Sequence, residues 1–172
     1  MKKTSKEIII NVETRKERTS MELLEKVLSD NNIKNAIEKV VSNKGTSGID
    51  GMKVEELYLY FYEHGEELKE QIRTRKYKPS PVRRVYIPKE NGDKRSLGIP
   101  VVVDRVIQQA IVQVLSPIYE KQFSENSYGF RPGRSCEMAI VKLLEHFNDG
   151  YTWIVDIDLE KFFDTNNNEN NT

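Results

Sequence analysis

Residues 82–99 read VRRVYIPKENGDKRSLGI, and this stretch decides the fold of the middle of the chain. Its apolar residues Val82, Val85 and Ile87 lie among arginines and a tyrosine, and prolines at positions 79, 81 and 88 exclude a helix. Asn91-Gly92 is the strongest short signal for a hairpin turn. We therefore predict antiparallel strands near residues 82–88 and 94–99.

Helical spacing of apolar residues flanks this hairpin on both sides. Upstream it predicts helices from Met21 to Val41 with a break near residues 29–32, and a helix from about Val54 to Arg75. Downstream it predicts a buried helix over residues 104–123, bent near Pro117, and another over Cys136–Asn148. Glycine-rich loops separate these elements at residues 43–51 and 124–135. The apolar run YTWIVDID at residues 151–158 predicts a strand.

Composition limits the class of protein. The chain has 172 residues, 37% of them hydrophobic and 31% charged, which suits one soluble domain with a real core. No apolar run approaches the roughly 20 residues of a membrane helix, so we expect no membrane partner. The single cysteine, Cys136, and two histidines exclude a disulfide framework and a zinc cluster.

Charge is unevenly distributed although the net charge is zero. Residues 69–95 carry ten Lys or Arg and three acids, whereas residues 53–68 carry five acids and one lysine. Such a chain presents a basic face while staying neutral overall, which favours nucleic acid as a partner. The alternative is an ordinary solvated face.

Asp158 ends the apolar run and is a candidate ligand for Mg²⁺, because hard cations are held by carboxylates fixed at rigid positions. The alternative is a helix N-cap, with a helix opening at Leu159.

Two further groups of residues suit binding to phosphates. Lys89 and Arg95 flank the hairpin turn and are able to clamp a polyanion such as a triphosphate, or they are solvating charges of an exposed turn. GFRPGR, residues 129–134, suits contact with a nucleic-acid backbone and stacking on a base. The alternative is a structural turn in which Phe130 fills the core.

The order of these stretches along the chain resembles the reverse transcriptases encoded by bacterial group II introns. The resemblance rests on YIPKENGDKRSLGIP, SYGFRPGRS, WIVDIDLEKFFDT and, upstream, GTSGIDG, and it runs from about Met21 to Thr165. It implies an α+β fold: the helix-rich fingers of a right-hand polymerase with a small antiparallel sheet, followed by the first strand of the palm. It also implies a cytoplasmic bacterial protein.

The resemblance implies the following roles. Lys89 and Arg95 contact the triphosphate of the incoming dNTP, and Phe163 lies under its sugar. Asp158 is a metal-binding carboxylate, and the backbone carbonyl of Leu159 serves a second metal. RNA or template contacts fall on the hairpin, on the loop before the last predicted helix and on the upstream loop: Arg83, Arg84, Phe130, Arg131, Pro132, Gly133, Arg134, Thr46, Ser47 and Gly48.

The same resemblance divides the chain into parts. They are an N-terminal arm (1–19), a helical N-terminal extension (20–78) with a template-lid loop (43–51), fingers (79–150), the start of the palm (151–165) and an Asn-rich tail foreign to the family (166–172). We interpret the chain as a fragment, because the family's later Asp-Asp motif does not occur in it. Mg²⁺ is expected in the full-length enzyme and not in this fragment.

The leading functional hypothesis is therefore a piece of an RNA-directed DNA polymerase and intron maturase that binds intron RNA and the RNA template/primer duplex. One alternative is a homodimerisation platform built around Trp153 and Val155. Another is a related enzyme, such as a retron or diversity-generating reverse transcriptase.

Overall fold

The computed structural model describes residues 19–88 and 92–159. They belong to two compact units, one ending at Gln122 and the other beginning at Phe123. The first unit contains five helical or strand segments before the final long helix: α1 (19–28), α2 (Asp30–Ser42), α3 (Leu57–Arg73), β1 (Arg83–Pro88) and β2 (Lys94–Ile99). The long helix is α4 (Val102–Tyr119). Short 3-10 helices, Val54–Glu56 and Glu120–Gln122, precede α3 and follow α4.

The core of the first unit lies among its helices. Ala36 of α2 and Ala110 of α4 are fully buried, and small side chains allow two helices to approach closely. Larger residues fill the space around them, among them Leu28, Leu57, Val102 and Val106. The predicted helices before and after the hairpin are thus confirmed, including the break, which falls at Ser29.

Polar contacts tie these helices together. The ammonium group of Lys69 in α3 is largely buried, binds Asp30 of α2 and lies 2.6 Å from Glu66. Asn32 donates to the carbonyls of Val27, at 2.8 Å, and Ala110, at 3.0 Å. These bonds fix the corner between α1 and α2 against α4, because each one satisfies a partly buried polar group.

The hairpin has the predicted form. β1 and β2 pair antiparallel, with Arg83 opposite Ile99 and Pro88 opposite Lys94. Since side chains alternate between the two faces of a strand, Arg83 and Arg95 share one face, while Arg84 and Lys94 share the other. The helix-rich fold with a small antiparallel sheet is confirmed.

The second unit has one helix in its described residues, α5 (Cys136–Asn148), as predicted. The hydroxyl of Ser135 caps it by accepting the N–H of Met138 at 3.3 Å. None of the residues of α5 is buried, and its apolar residues Ile140, Leu144 and Phe147 are more than half exposed.

One prediction is wrong in the described structure, and a second is correct in kind but differs in its bounds and burial. Residues 151–158 form no strand, since an extended segment becomes one only when a neighbouring backbone accepts and donates its hydrogen bonds, and no described residue does so. The helix over 104–123 runs from Val102 to Tyr119, through Pro117, and is buried only in its first half. Ile111 and Ile118 are 39% and 40% exposed.

Across residues 19–88 and 92–159, none of the helices combines the length and apolar character needed to cross a bilayer.

Candidate nucleic-acid interface

The loop at residues 43–51 is held against the hairpin and α4 by two arginines that converge on Thr46. Nη2 of Arg83, in β1, donates to the hydroxyl of Thr46 at 3.1 Å. Nη2 of Arg105, in the first turns of α4, donates to the main-chain carbonyl of the same residue. The structure therefore brings together two predicted RNA-binding residues, Thr46 and Arg83, and adds Arg105.

Close backbone packing explains the glycines of this loop. A Cβ atom at Gly48 would lie 2.5 Å from the Cα of Val101, closer than van der Waals contact allows. A Cβ atom at Gly45 would overlap the guanidinium of Arg105. Only glycine lets the loop approach the start of α4 this closely. Gly48 is buried as a result, while Ser47 between these contacts is half-buried.

The two arginines leave positive charge at this junction. Within the described residues, neither Arg83 nor Arg105 forms a salt bridge with a carboxylate, and the Nε of each is buried without a hydrogen-bond partner. Burial lowers the pKa of Arg105 from its usual value, and the nearby charge of Asp50 opposes this effect. Guanidinium groups carry a positive charge at neutral pH, so the loop lies in a positive field that suits a polyanion.

A buried carboxylate fixes the chain as it enters the hairpin. Asp104 is 4% exposed and accepts hydrogen bonds from the hydroxyl of Tyr77 and from the N–H of Ser80, the latter at 2.9 Å. Burial, followed by the hydrogen bond to Asp104, raises the pKa of Tyr77 above its ordinary value. Because Arg105 follows Asp104 directly, one turn of α4 anchors both the hairpin and the loop.

The outer face of the hairpin combines cations with an aromatic ring. Arg84, Tyr86 and Lys94 share this face by the strand register, and all three are exposed, Tyr86 by 62%. Exposed cations beside an aromatic ring are the usual means of contacting a nucleic-acid backbone and stacking on a base.

Arg95 is exposed on the opposite face. Lys89 lies outside the described residues, so the clamp of Lys89 and Arg95 stays a prediction.

In the second unit the arginines of GFRPGR brace their own loop. Arg131 donates from Nη1 to the carbonyls of Ser124 and Ser127, both at 2.7 Å, and stacks over Phe123 at 5.3 Å from the ring centre. Arg134 pairs with Glu125 at 2.7 Å and stacks over Tyr128 at 5.4 Å. Both side chains thus hold the conformation of their own loop, and their RNA contacts stay a prediction.

Phe130 stands out from this braced loop. Its side chain is fully exposed, and its φ of +56° is rare for a bulky residue. The alternative in which Phe130 fills the core therefore does not hold in the described structure. Pro132 is exposed and Gly133 has φ +69°, which glycine adopts without strain. Backbone strain such as that at Phe130 persists where the surrounding structure enforces it, often at a binding site.

Asp158 is exposed, and its Oδ1 accepts the N–H of Leu159 at 2.9 Å. In the part of the chain that the structure describes, no three His, Cys, Asp or Glu side chains lie close enough to hold a metal ion. The described residues do not by themselves make a magnesium site. Phe163 lies outside the described residues, as does any helix that Asp158 would cap beyond Leu159.

The sequence analysis missed Arg105, Asp104 and Tyr77. The signal available in the sequence was the pair Asp104-Arg105 among the apolar residues that begin the helix. Charged residues are seldom buried without partners, so this pair indicates buried polar contacts.

Comparison with known proteins adds to this geometry. The family described as reverse transcriptase (RNA-dependent DNA polymerase) matches residues 87–169. Protein YkfC of Escherichia coli is 40% identical over 131 residues, which cover 73% of this chain and 34% of that protein. The group II intron-encoded protein LtrA of Lactococcus lactis subsp. cremoris is 38% identical over 137 residues, which cover 75% of this chain and 21% of that protein.

Among solved structures, a partial Cas6-RT-Cas1–Cas2 complex matches with a TM-score of 0.47 and 22% identity, over 83% of this chain and 22% of that one. The chain spans about a third or less of the length of the two relatives named above, protein YkfC and LtrA.

Proposed function

We propose, from the premise that this chain belongs to the reverse transcriptase family, that it provides the RNA-docking fingers of an RNA-directed DNA polymerase that is also an intron maturase. Its RNA partners are group II intron RNA and the template/primer duplex. The similarity to a group II intron-encoded protein supports the intron assignment. We also propose that the protein acts in the bacterial cytoplasm.

One observation carries the proposal: Thr46 is held between Arg83 and Arg105, two guanidiniums that form no salt bridge within the described residues. The exposed face of Arg84, Tyr86 and Lys94, on the other side of the hairpin from Arg83, adds further cations and a ring. Preorganised cations without carboxylate partners suit a ligand that brings its own negative charges, and the phosphates of RNA do so at regular intervals.

For the full-length protein we propose the roles that the family resemblance implies. Lys89 and Arg95 hold the dNTP triphosphate, and Phe163 contacts the sugar. Asp158 and the carbonyl of Leu159 contribute to holding Mg²⁺, which supplies charge stabilisation during nucleotidyl transfer when bound.

RNA binding across a salt series tests the proposal. A fluorescent intron RNA is titrated with the 172-residue chain and with the double variant Arg84→Glu/Lys94→Glu. The reversal should weaken binding at least about tenfold and flatten the slope of log K against log salt by about 1 or more, because two phosphate contacts are lost.

The matched control is Lys26→Glu/Lys34→Glu, which makes the same charge change on exposed positions of α1 and α2. It should bind within about twofold of the parent chain, since phosphate contacts act at short range. An equal loss of RNA affinity in the two double variants would show a non-specific charge effect. Absence of RNA binding by the parent chain would contradict the proposal.

A second candidate function, homodimerisation, is favoured by the exposed apolar surface of the second unit. A groove of about 390 Å³ lies between α5 and residues 151–155, and Trp153 on its edge is 92% exposed. Apolar surface of this extent tends to find a partner.

Light scattering after size exclusion tests self-association on the parent chain and on Trp153→Glu. A dimer that becomes a monomer in the variant supports the second candidate, and a monomer in both removes it.

A further inference from the structure

A pocket on the first unit, separate from the hairpin face, lies between the end of α2 and the first half of α4. It has a volume of about 290 Å³ and is lined by Val40, Asn43, Arg105, Gln108, Gln109 and Val112. Its polar lining consists of one guanidinium and three side-chain amides, with no carboxylate. This donor-rich composition is the opposite of a cation site.

Arg105 gives the pocket its charge. Only one hydrogen bond of its side chain forms within the described residues, from Nη2 to the carbonyl of Thr46. The charge is therefore partly desolvated, and no carboxylate of the described residues forms a salt bridge with it, although the charge of Asp50 acts on it from nearby. A partly buried guanidinium without a salt-bridge partner is unfavourable, so an anion that enters this pocket gains more than it would at an exposed arginine.

One of the three amides that line the pocket, that of Gln109, is held in place by hydrogen bonds. Gln109 donates to Gln113 at 3.2 Å, and Gln113 in turn donates to the side chain of Asn32 at 2.7 Å. Gln108 and Asn43 make no side-chain bond within the described residues and are exposed, so their amide N–H groups are available to a ligand. The pocket thus combines one positioned amide, Gln109, with two amides that make no side-chain hydrogen bond within the described residues, Asn43 and Gln108.

We propose that this pocket binds a phosphate group of an RNA strand, with Arg105 as the charged donor and the amides of Asn43 and Gln108 as neutral donors. The inference rests on the proposed RNA-binding function and assigns to it a phosphate subsite outside the hairpin. Since Arg105 also holds the carbonyl of Thr46, a phosphate in this pocket lies directly behind the loop at residues 43–51.

Arginine side-chain NMR tests the pocket directly. The ¹⁵Nε signal of Arg105, assigned with Arg105→Lys, is followed in the 172-residue chain while sodium phosphate replaces sodium chloride at constant ionic strength. A saturable shift is expected with phosphate. The proposal is overturned if the Arg105 signal does not shift, or if its shift increases linearly with phosphate concentration without reaching a plateau.

Gln108→Glu supplies a variant that keeps Arg105 itself and places a negative charge at the rim of the pocket. It should weaken phosphate binding at least about fivefold through like-charge repulsion. Gln122→Glu, in the 3-10 helix outside the pocket, makes the same charge change and should bind within about twofold of the parent. Equal effects of the two variants overturn the proposal.

A 12-nucleotide single-stranded RNA and the DNA of the same sequence then replace the free anion. The RNA should shift the Arg105 signal, and Gln108→Glu should reduce its salt slope by about 0.7, the value for one phosphate contact on a single strand. An equal response to the DNA would assign the site to phosphate of either nucleic acid and overturn its restriction to RNA.

The two proposals fail separately. If RNA binds and the Arg105 signal does not move, the pocket assignment falls while the RNA-binding function stands. If phosphate shifts the signal and RNA does not bind, the function falls while the anion site stands.

Discussion

Arg105 donates a hydrogen bond to the main-chain carbonyl of Thr46, although the two lie 59 positions apart in the sequence. The bond joins the first turns of α4 to the loop at residues 43–51, and Arg83 holds the hydroxyl of the same threonine. The conformation of the loop is therefore set by the surrounding fold before any ligand arrives. A preorganised loop binds with a smaller entropic cost than a loop that must become ordered.

Close packing at Gly48 gives the first prediction. Gly48→Ala should lower the free energy of unfolding by about 1–3 kcal/mol, because the new Cβ meets the backbone of Val101. Gly65→Ala is the matched control: its Cβ would lie 3.7 Å from Phe61, in ordinary contact, inside α3. It should raise the free energy of unfolding by about 0.5–1 kcal/mol. Urea denaturation measures both, and the same sign for the two variants would contradict the docking of the loop.

The bond between Tyr77 and Asp104 gives the second prediction. Tyr77→Phe should lower the free energy of unfolding at pH 7 by about 1–3 kcal/mol, because a buried carboxylate loses one of its two partners. Chemical denaturation of both proteins from pH 7 to pH 11 measures the difference.

The pH dependence of that difference has a defined sign. The pKa of Tyr77 is raised in the folded state, so the contribution of this hydroxyl is fully present below the ordinary tyrosine pKa of about 10. Above that pH the unfolded chain loses the proton while the folded chain keeps it, and stability falls. Tyr77→Phe lacks this proton, so the difference in the free energy of unfolding between the parent chain and the variant should become smaller above about pH 10. A constant gap would show that the hydroxyl is not held in its neutral form.

Local signals explain why the hairpin and the helices could be predicted. The hairpin signal of the dipeptide Asn91-Gly92 and the spacing of apolar residues in Cys136–Asn148 both depend on neighbours in sequence, and the strands and α5 have the expected bounds. The loop at residues 43–51 was also predicted from its glycines. The resemblance to a known family then directed attention to Thr46 and Arg83, which the structure places in contact.

Partners distant in sequence explain what could not be predicted. Whether residues 151–158 form a strand depends on a neighbouring backbone, and their own apolar pattern carries no information about it. Nothing in the sequence around Asp104 indicates that Tyr77 and Ser80 donate hydrogen bonds to its carboxylate. The RNA contacts of Arg131 and Arg134 stay a prediction, since the structure shows only that both side chains also stack on rings of their own loop, Phe123 and Tyr128.

The strained backbone at Phe130 gives the third prediction. Phe130→Gly should raise the free energy of unfolding by about 1 kcal/mol, because glycine adopts φ +56° without steric cost. It should also weaken RNA binding, because a fully exposed ring available for stacking is lost. Fluorescence anisotropy with single-stranded RNA measures the affinity.

Tyr62→Ala is the control for Phe130→Gly, since Tyr62 is an 88% exposed aromatic on α3. It should leave RNA affinity within about twofold of the parent, because a ring outside the binding surface contributes no stacking. A more stable Phe130→Gly chain with unchanged RNA affinity would show that the strain has no part in binding RNA.

Nucleotide addition gives the fourth prediction. The 172-residue chain, supplied with primer, RNA template, dNTPs and Mg²⁺, should give no extension above background. Two-metal transfer needs carboxylates from more than one place around the reacting phosphate. This sequence contains no Asp-Asp pair, and no cluster of metal-binding side chains occurs within residues 19–88 and 92–159. RNA binding measured on the same preparation separates inactivity from misfolding, and Asp158→Asn should bind RNA within about twofold of the parent because Asp158 is not among the proposed RNA contacts. Processive synthesis by the purified chain would show that its own residues complete a metal site, and Asp158→Asn would then identify whether Asp158 belongs to it.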